Sequence, residues 1–215
     1  MCKHVTEEAL SRLRVQVEGM LSPYRFAHTK GVEDMIARLA ALYLPEREGM
    51  LRAAALLHDI TKELPHEKQE EILAAHGISL RPDEAASPKI LHGITASLLI
   101  PAAFPDLAHG ELLSAVRWHT TGHADMTVFE ALLYLADYIE EGRQFDDCVH
   151  LRKVFFDAAP ESMDKTARER HLWSVMLAAL SLTVSGLERK GAPICLDTLA
   201  AKEDITKKLT LLKGI

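Results

Sequence analysis

The chain has 215 residues, 48% hydrophobic and 26% charged, which is globular usage and excludes a disordered polymer. Its net charge of −6 lacks the basic excess of a nucleic-acid binder. No apolar run reaches the ~18 residues expected of a membrane span. Cys2, Cys148 and Cys195 form no C-x-x-C pair, so they are expected as reduced thiols in a cytoplasm. The segment MCKHVTEEALSRLRVQVEG carries acidic residues and no apolar run of the kind a secretory signal needs.

Ala and Leu recur at helical spacing along the whole chain, and nothing alternates with period two for long. Residues 1–22 are expected to hold an N-terminal helix. Ser22-Pro23 pairs an N-cap with a proline at the first helical position and opens a helix to about Tyr43, with Met35, Ile36 and Leu39 inward. A second helix should run from about Glu46 to Leu57, and a third from Pro65 to Gly77. Ser87-Pro88 repeats the cap signal before ILHGITASLLI, with Pro101 and Pro105 marking the end. Further helices are expected over His109–Trp118, Thr127–Glu141 (closed by Gly142), 146–158 and 161–190, with a last one from near Asp197. Short connections suit an all-α, irregular helical bundle in one domain. Residues 23–190 would form its core, and 191–215 a segment packed on it.

Several residues conflict with burial. MLRAAALLHDI is apolar up to His58-Asp59, and VFEALLYLADYIEE is apolar around Asp137. His92 lies in an apolar helix, His119 ends AVRWH before a turn, and His28 sits in the first turns of its helix. Buried imidazoles and carboxylates are costly unless paired or metal-bound. A lone His on a helix is ordinary, and Asp137 alone is as well explained as a buried hydrogen-bond partner. Six such residues converging in a bundle core form a candidate site for Zn, Mn or Fe.

HTKGV, ALLHDITKE, LHG, RWHTTG and LLYLADYIEEGR together resemble the HD-domain metal-dependent phosphohydrolases. They resemble more closely the bacterial branch that splits diadenosine tetraphosphate symmetrically into two ADP. The resemblance spans roughly residues 23–200 and implies the helical bundle expected above. It implies His28, His58, Asp59 and Asp137 as metal ligands. The metal would be iron, with Mn, Co or Zn as alternatives, at one or two ions per chain. His92 and His119 match positions that ligate a second metal or contact substrate phosphates. Arg25, Lys62 and Arg143 match cations that hold phosphate oxygens. Asp59 would orient water, Lys62 would act as a point charge, and His92 and His119, if protonated, would stabilise charge or protonate the leaving group. The resemblance implies a nucleotide as partner with ADP as product, a cytoplasmic location and a homodimer. Neither nucleic acid nor a membrane is expected as a partner.

This chain departs from the pattern at His123, where a basic residue is expected, at Cys195-Leu196 in place of His-Pro, and at Lys202-Glu203 in place of Arg-Asn. Thr198 lies in that segment as a candidate nucleotide contact. Other readings are a different HD-type nucleotide phosphohydrolase, a di-iron oxygenase of the same fold, and a non-catalytic nucleotide sensor.

Overall fold

A computed structural model describes residues 5–212 and is helical throughout. Its helices in chain order are α1 (Glu7–Glu18), α2 (Pro23–Tyr43), α3 (Glu48–Leu57), α4 (His66–Ala75), α5 (Pro82–Ala85) and α6 (Leu91–Ala103). They continue as α7 (Gly110–Trp118), α8 (Val128–Ile139), α9 (Asp146–Asp157), α10 (Lys165–Arg189) and α11 (Leu196–Leu211).

The caps explain several starts. Ser22 Oγ accepts the Arg25 amide N–H at 3.2 Å, with Pro23 preset in the first turn of α2. Thr127 and Glu130 cap α8 reciprocally: Oγ1 of Thr127 accepts the Glu130 N–H, and the Glu130 carboxylate accepts the Thr127 N–H at 2.7 Å. Two expectations need correction. Ser87 caps no helix; Pro88–Ile90 form a short 3₁₀ turn, and α6 starts at Leu91. Pro101 does not end α6 but lies inside it. Its turn, 101–103, is exposed and is the last of the helix, so only the Ser97 carbonyl loses its N–H partner.

α3 is the central helix, with Leu51, Leu56, Leu57 and the alanines 53–55 fully buried. It packs on α1, α2, α7 and α8, and α2 also packs on α8. α6 lies on α7, and α11 on α10. α10 is long and apolar enough to cross a membrane by length and composition, yet its Leu172, Trp173, Met176 and Leu180 are buried among the other helices. Because the axes converge, the start of α2, the end of α3, the start of α6, the end of α7 and the second half of α8 meet at one place.

Candidate metal centre

His28 comes to that place from the first turns of α2, and His58-Asp59 from the point where α3 stops. His92 comes from the first turn of α6, His119 from the C-terminus of α7 and Asp137 from the last turn of α8. The residues after Asp59 hold these elements in register. Thr61 Oγ1 donates to the His92 carbonyl at 2.9 Å and contacts Thr95 Oγ1 at 2.8 Å, docking the start of α6. Glu63 accepts from the Ser22 backbone N–H at 2.8 Å and from its hydroxyl at 2.6 Å, which fixes the start of α2. The D-I-T-K-E run is thus the clamp between the helices that carry His28 and His92.

Two glycines allow the close approach. A Cβ at Gly93 would lie 2.9 Å from the Arg117 carbonyl oxygen, so the crossing of α6 and α7 beside His92 and His119 needs glycine. A Cβ at Gly31 would collide with Oε2 of Glu140.

The imidazole hydrogen bonds settle which nitrogen faces inward. A carbonyl oxygen only accepts, so the nitrogen against it carries the proton. His58 Nδ1 donates to the Ala55 carbonyl at 2.6 Å, and His119 Nδ1 to the Val116 carbonyl at 2.7 Å. His28 Nδ1 lies 3.2 Å from the Glu140 carboxylate. In the neutral rings, all three Nε2 lone pairs therefore point into the cluster. His28 Nε2 is 2.9 Å from Asp137 Oδ1 and 3.8 Å from Asp59 Oδ2, and His58 Nε2 is 3.5 Å from Asp59 Oδ2. Yet Nε2 of His28, Nε2 of His58 and Oδ1 of Asp59 are buried without a hydrogen-bond partner. Buried polar atoms normally find one.

These atoms form two overlapping donor groups, His28–His58–Asp137 and His58–Asp59–His119, with ligand atoms within 4.8 Å of one another in each. Neutral imidazole nitrogens and carboxylate oxygens are the donors a divalent transition metal takes. Unpartnered and convergent as they are, the residues fit such an ion. His58 Nε2 has a single lone pair and serves only one.

The electrostatics follow from burial and charge together. Burial opposes ionisation of Asp59, but His58, His119 and His92 hold its carboxyl well below the usual range. Burial also opposes Asp137, and Arg143 followed by His28 outweighs it. Burial lowers His28, but Asp137 and Glu140 together raise it to about 9. Burial pushes His92 down to about 3 and His119 in the same direction. Both rings are therefore held in the neutral form in the free chain, so a role that needs either protonated is not met there. Two imidazolium ions cannot share a buried space in which their Nε2 atoms are 3.0 Å apart.

The three basic residues reach the cluster already engaged. Arg25 Nη1 is 2.9 Å from Asp59 Oδ2, and Arg143 Nη2 is 2.5 Å from Asp137 Oδ1. Lys62 Nζ is 2.9 Å from His92 Nε2 and 3.9 Å from Asp59 Oδ1. The structure does not bring Thr198 to the cluster. It is buried at the start of α11, whose Ala201 packs on Gly122 behind the His119 turn. His123 turns away to Glu130, at 3.1 Å.

Glu140 is the residue that sequence reasoning missed. Only 3% exposed, it accepts from the Gly142 N–H and orients His28. In ADYIEEG it reads as a solvated acid at a helix end. Gly31 one turn after His28 was the available signal, because a glycine inside a long helix leaves room for something.

Comparison with known proteins agrees with this geometry. The sequence profile of the HD domain matches residues 25–142, more than half of the chain. The symmetrical bis(5'-nucleosyl)-tetraphosphatase of Bacillus subtilis (strain 168) is 27% identical over 192 residues, covering 89% of this chain and 92% of its own. The protein of the same name from Halalkalibacterium halodurans is 28% identical over 184 residues, 86% of this chain and 90% of its own. A solved structure described as a predicted HD superfamily hydrolase involved in NAD metabolism, from Clostridium acetobutylicum, superposes with a TM-score of 0.78. It is 28% identical and covers 92% of this chain and 97% of that one. With HD-domain residues spanning the His28–Asp137 cluster, and a fold built to converge on it, this chain belongs to the HD domain family.

Proposed function

We propose that the chain is a metal-dependent hydrolase of dinucleoside polyphosphates that splits diadenosine tetraphosphate into two ADP. The observation that carries this is the buried cluster of unpartnered Nε2 and Oδ1 atoms ringed by Arg25, Lys62 and Arg143. A donor set and a ring of cations together suit a polyanionic substrate. The similarity to two proteins named for that reaction, over nearly their whole length, supports the substrate class.

His28, His58, Asp59 and Asp137 would hold one divalent ion, which we propose to be iron, with Mn, Co or Zn as substitutes. When bound, such an ion supplies a more acidic water and Lewis-acid charge beside a phosphoryl oxygen. The chain's own residues do the rest. Asp59 Oδ1 is placed to accept a hydrogen bond from the attacking water. Arg25 and Arg143 transfer part of their hydrogen bonding from the carboxylates to phosphate oxygens, where their planar forks bind in pairs. Lys62 follows as a point charge. His119, its Nδ1 proton committed to the Val116 carbonyl, donates to a phosphate oxygen only after Nε2 takes up a proton, and His92 lies beside it with Nε2 against Lys62. Charge stabilisation at the leaving oxygen falls to Lys62 and the arginines.

The test is product analysis. The chain is reconstituted anaerobically with Fe(II), given diadenosine tetraphosphate and, in parallel, NAD and nucleoside triphosphates, and the products are separated by anion exchange. ADP as sole product from the first, with slower turnover of the rest, is expected. ATP with AMP, or preference for another compound, would contradict the reading.

A further inference from the structure

Two clefts reach the cluster and share part of their walls. One, of about 480 Å³, reaches His119 and Asp137 and is lined by Lys62, Lys89, Lys190 and the Tyr134–Tyr138 pair. The other, of about 560 Å³, reaches His28 and Glu140 and is lined by Tyr24, Arg25, Gln144 and Phe145. Arg143 and Phe145 line both.

The two are built differently. The first concentrates lysines. The second has fewer cations and adds Tyr24, 79% exposed, to the shared Phe145, 70% exposed, whereas Tyr134 of the first is buried and Tyr138 half-buried. Tyr24 and Phe145 are the two most exposed large aromatics among the described residues. The Arg25 guanidinium, 5.9 Å from the Tyr24 ring, connects that ring to Asp59 in the cluster. Large apolar rings left in water beside a charged site gain from a flat ligand that covers them.

Resting on the proposed reaction, we infer that the Tyr24–Phe145 cleft is a subsite for the second nucleoside of a dinucleoside substrate. A bond cut at the cluster leaves two halves of the substrate, and two clefts reach the cluster to hold them. The lysine-lined cleft takes a nucleoside diphosphate by its charge. The aromatic cleft takes the other half mainly by its base, stacked on Tyr24 and Phe145. Such stacking tolerates any base, because every base has a π face. The subsite therefore selects for the presence of a second nucleoside rather than for its identity.

The test uses the full chain loaded with Mn(II) and compares the KM for diadenosine tetraphosphate with the inhibition constant of ADP, which needs only one cleft. Tyr24→Ala is expected to raise that KM roughly five- to tenfold, the range for losing one stacking face at an exposed site. It should leave ADP inhibition within about twofold, and Tyr24→Phe, which keeps the ring, should restore the KM. Phe145→Ala should raise the KM at least as far. Both side chains are exposed, so neither truncation opens the core. A Tyr24→Ala chain with unchanged KM, or with KM and ADP inhibition weakened equally, would overturn the subsite while leaving the hydrolase reading intact. A wild-type chain that cleaves no dinucleotide would overturn both.

Discussion

Helices α2 and α3 each carry two buried polar clusters, and the clusters differ in how they are satisfied. Along their middles, Glu33 is 3% exposed and takes Arg14 at 2.6 Å and Arg52 at 3.0 Å, while Glu7 closes the network on both arginines. Every charge there has a partner. At the other end of the same helices, His28, His58 and Asp59 keep inward atoms without one. A paired buried network is an element of structure, and an unpaired convergent one is a place for something else to bind. Burial alone does not separate them; the count of unmet atoms does.

The largest effect separating the two clusters should come from Asp59→Ala. It removes a proposed ligand and the acceptor for water, and turnover should fall about 10³-fold or more with the helical circular dichroism retained. The converse substitution, Glu33→Ala, leaves Arg14 and Arg52 only the exposed Glu7 as partner and should cost roughly 1–3 kcal/mol in chemical denaturation. Turnover at saturating metal should stay near wild type. If Glu33→Ala abolished turnover in a folded chain, the distinction between the clusters would collapse.

Glu140→Ala sharpens the comparison, because Glu140 supports the unpaired cluster without facing it. Losing the acceptor for His28 Nδ1 should weaken metal affinity about 10- to 100-fold, read by titration calorimetry, with little change in kcat once metal saturates.

The smallest effect lies at His123–Glu130, a paired site beside the centre. Hydrogen bonding to Glu130 raises His123, so its stabilisation is full below 6.5 and is lost as pH rises through the raised pKa. Burial opposes ionisation of Glu130, but His123, Ser114 and Thr127 bring it down to about 2, so its share is full above 4.5 and lost as pH falls toward 2. The pair should contribute most between about 4.5 and 6.5. Wild type minus His123→Ala should differ there by about 1 kcal/mol in denaturation, and less at pH 8.

Much of this was legible in the residues. Helical spacing and caps located the elements, and His28, His58-Asp59, His92, His119 and Asp137 do meet, because burial conflicts mark them wherever they fall. What escaped reading depends on distances between helices. Arg25 and Arg143 read as cations flanking the site, but their ion pairs with Asp59 and Asp137 are not legible in sequence. Protonation of His92 and His119 could not be judged before their 3.0 Å approach was known. Glu140 and Phe145 look like surface residues in sequence, since only the fold buries one and leaves the other beside the site. Pro101 looked like a stop because nothing local shows that its turn faces water.

The most direct test is titration of Mn(II) into the metal-free chain and into His58→Ala, the residue common to both donor groups. One ion per wild-type chain, and binding at least about 100-fold weaker in a folded His58→Ala, is the predicted result. A folded His58→Ala chain that takes up the ion as tightly as wild type would contradict the assignment of the centre.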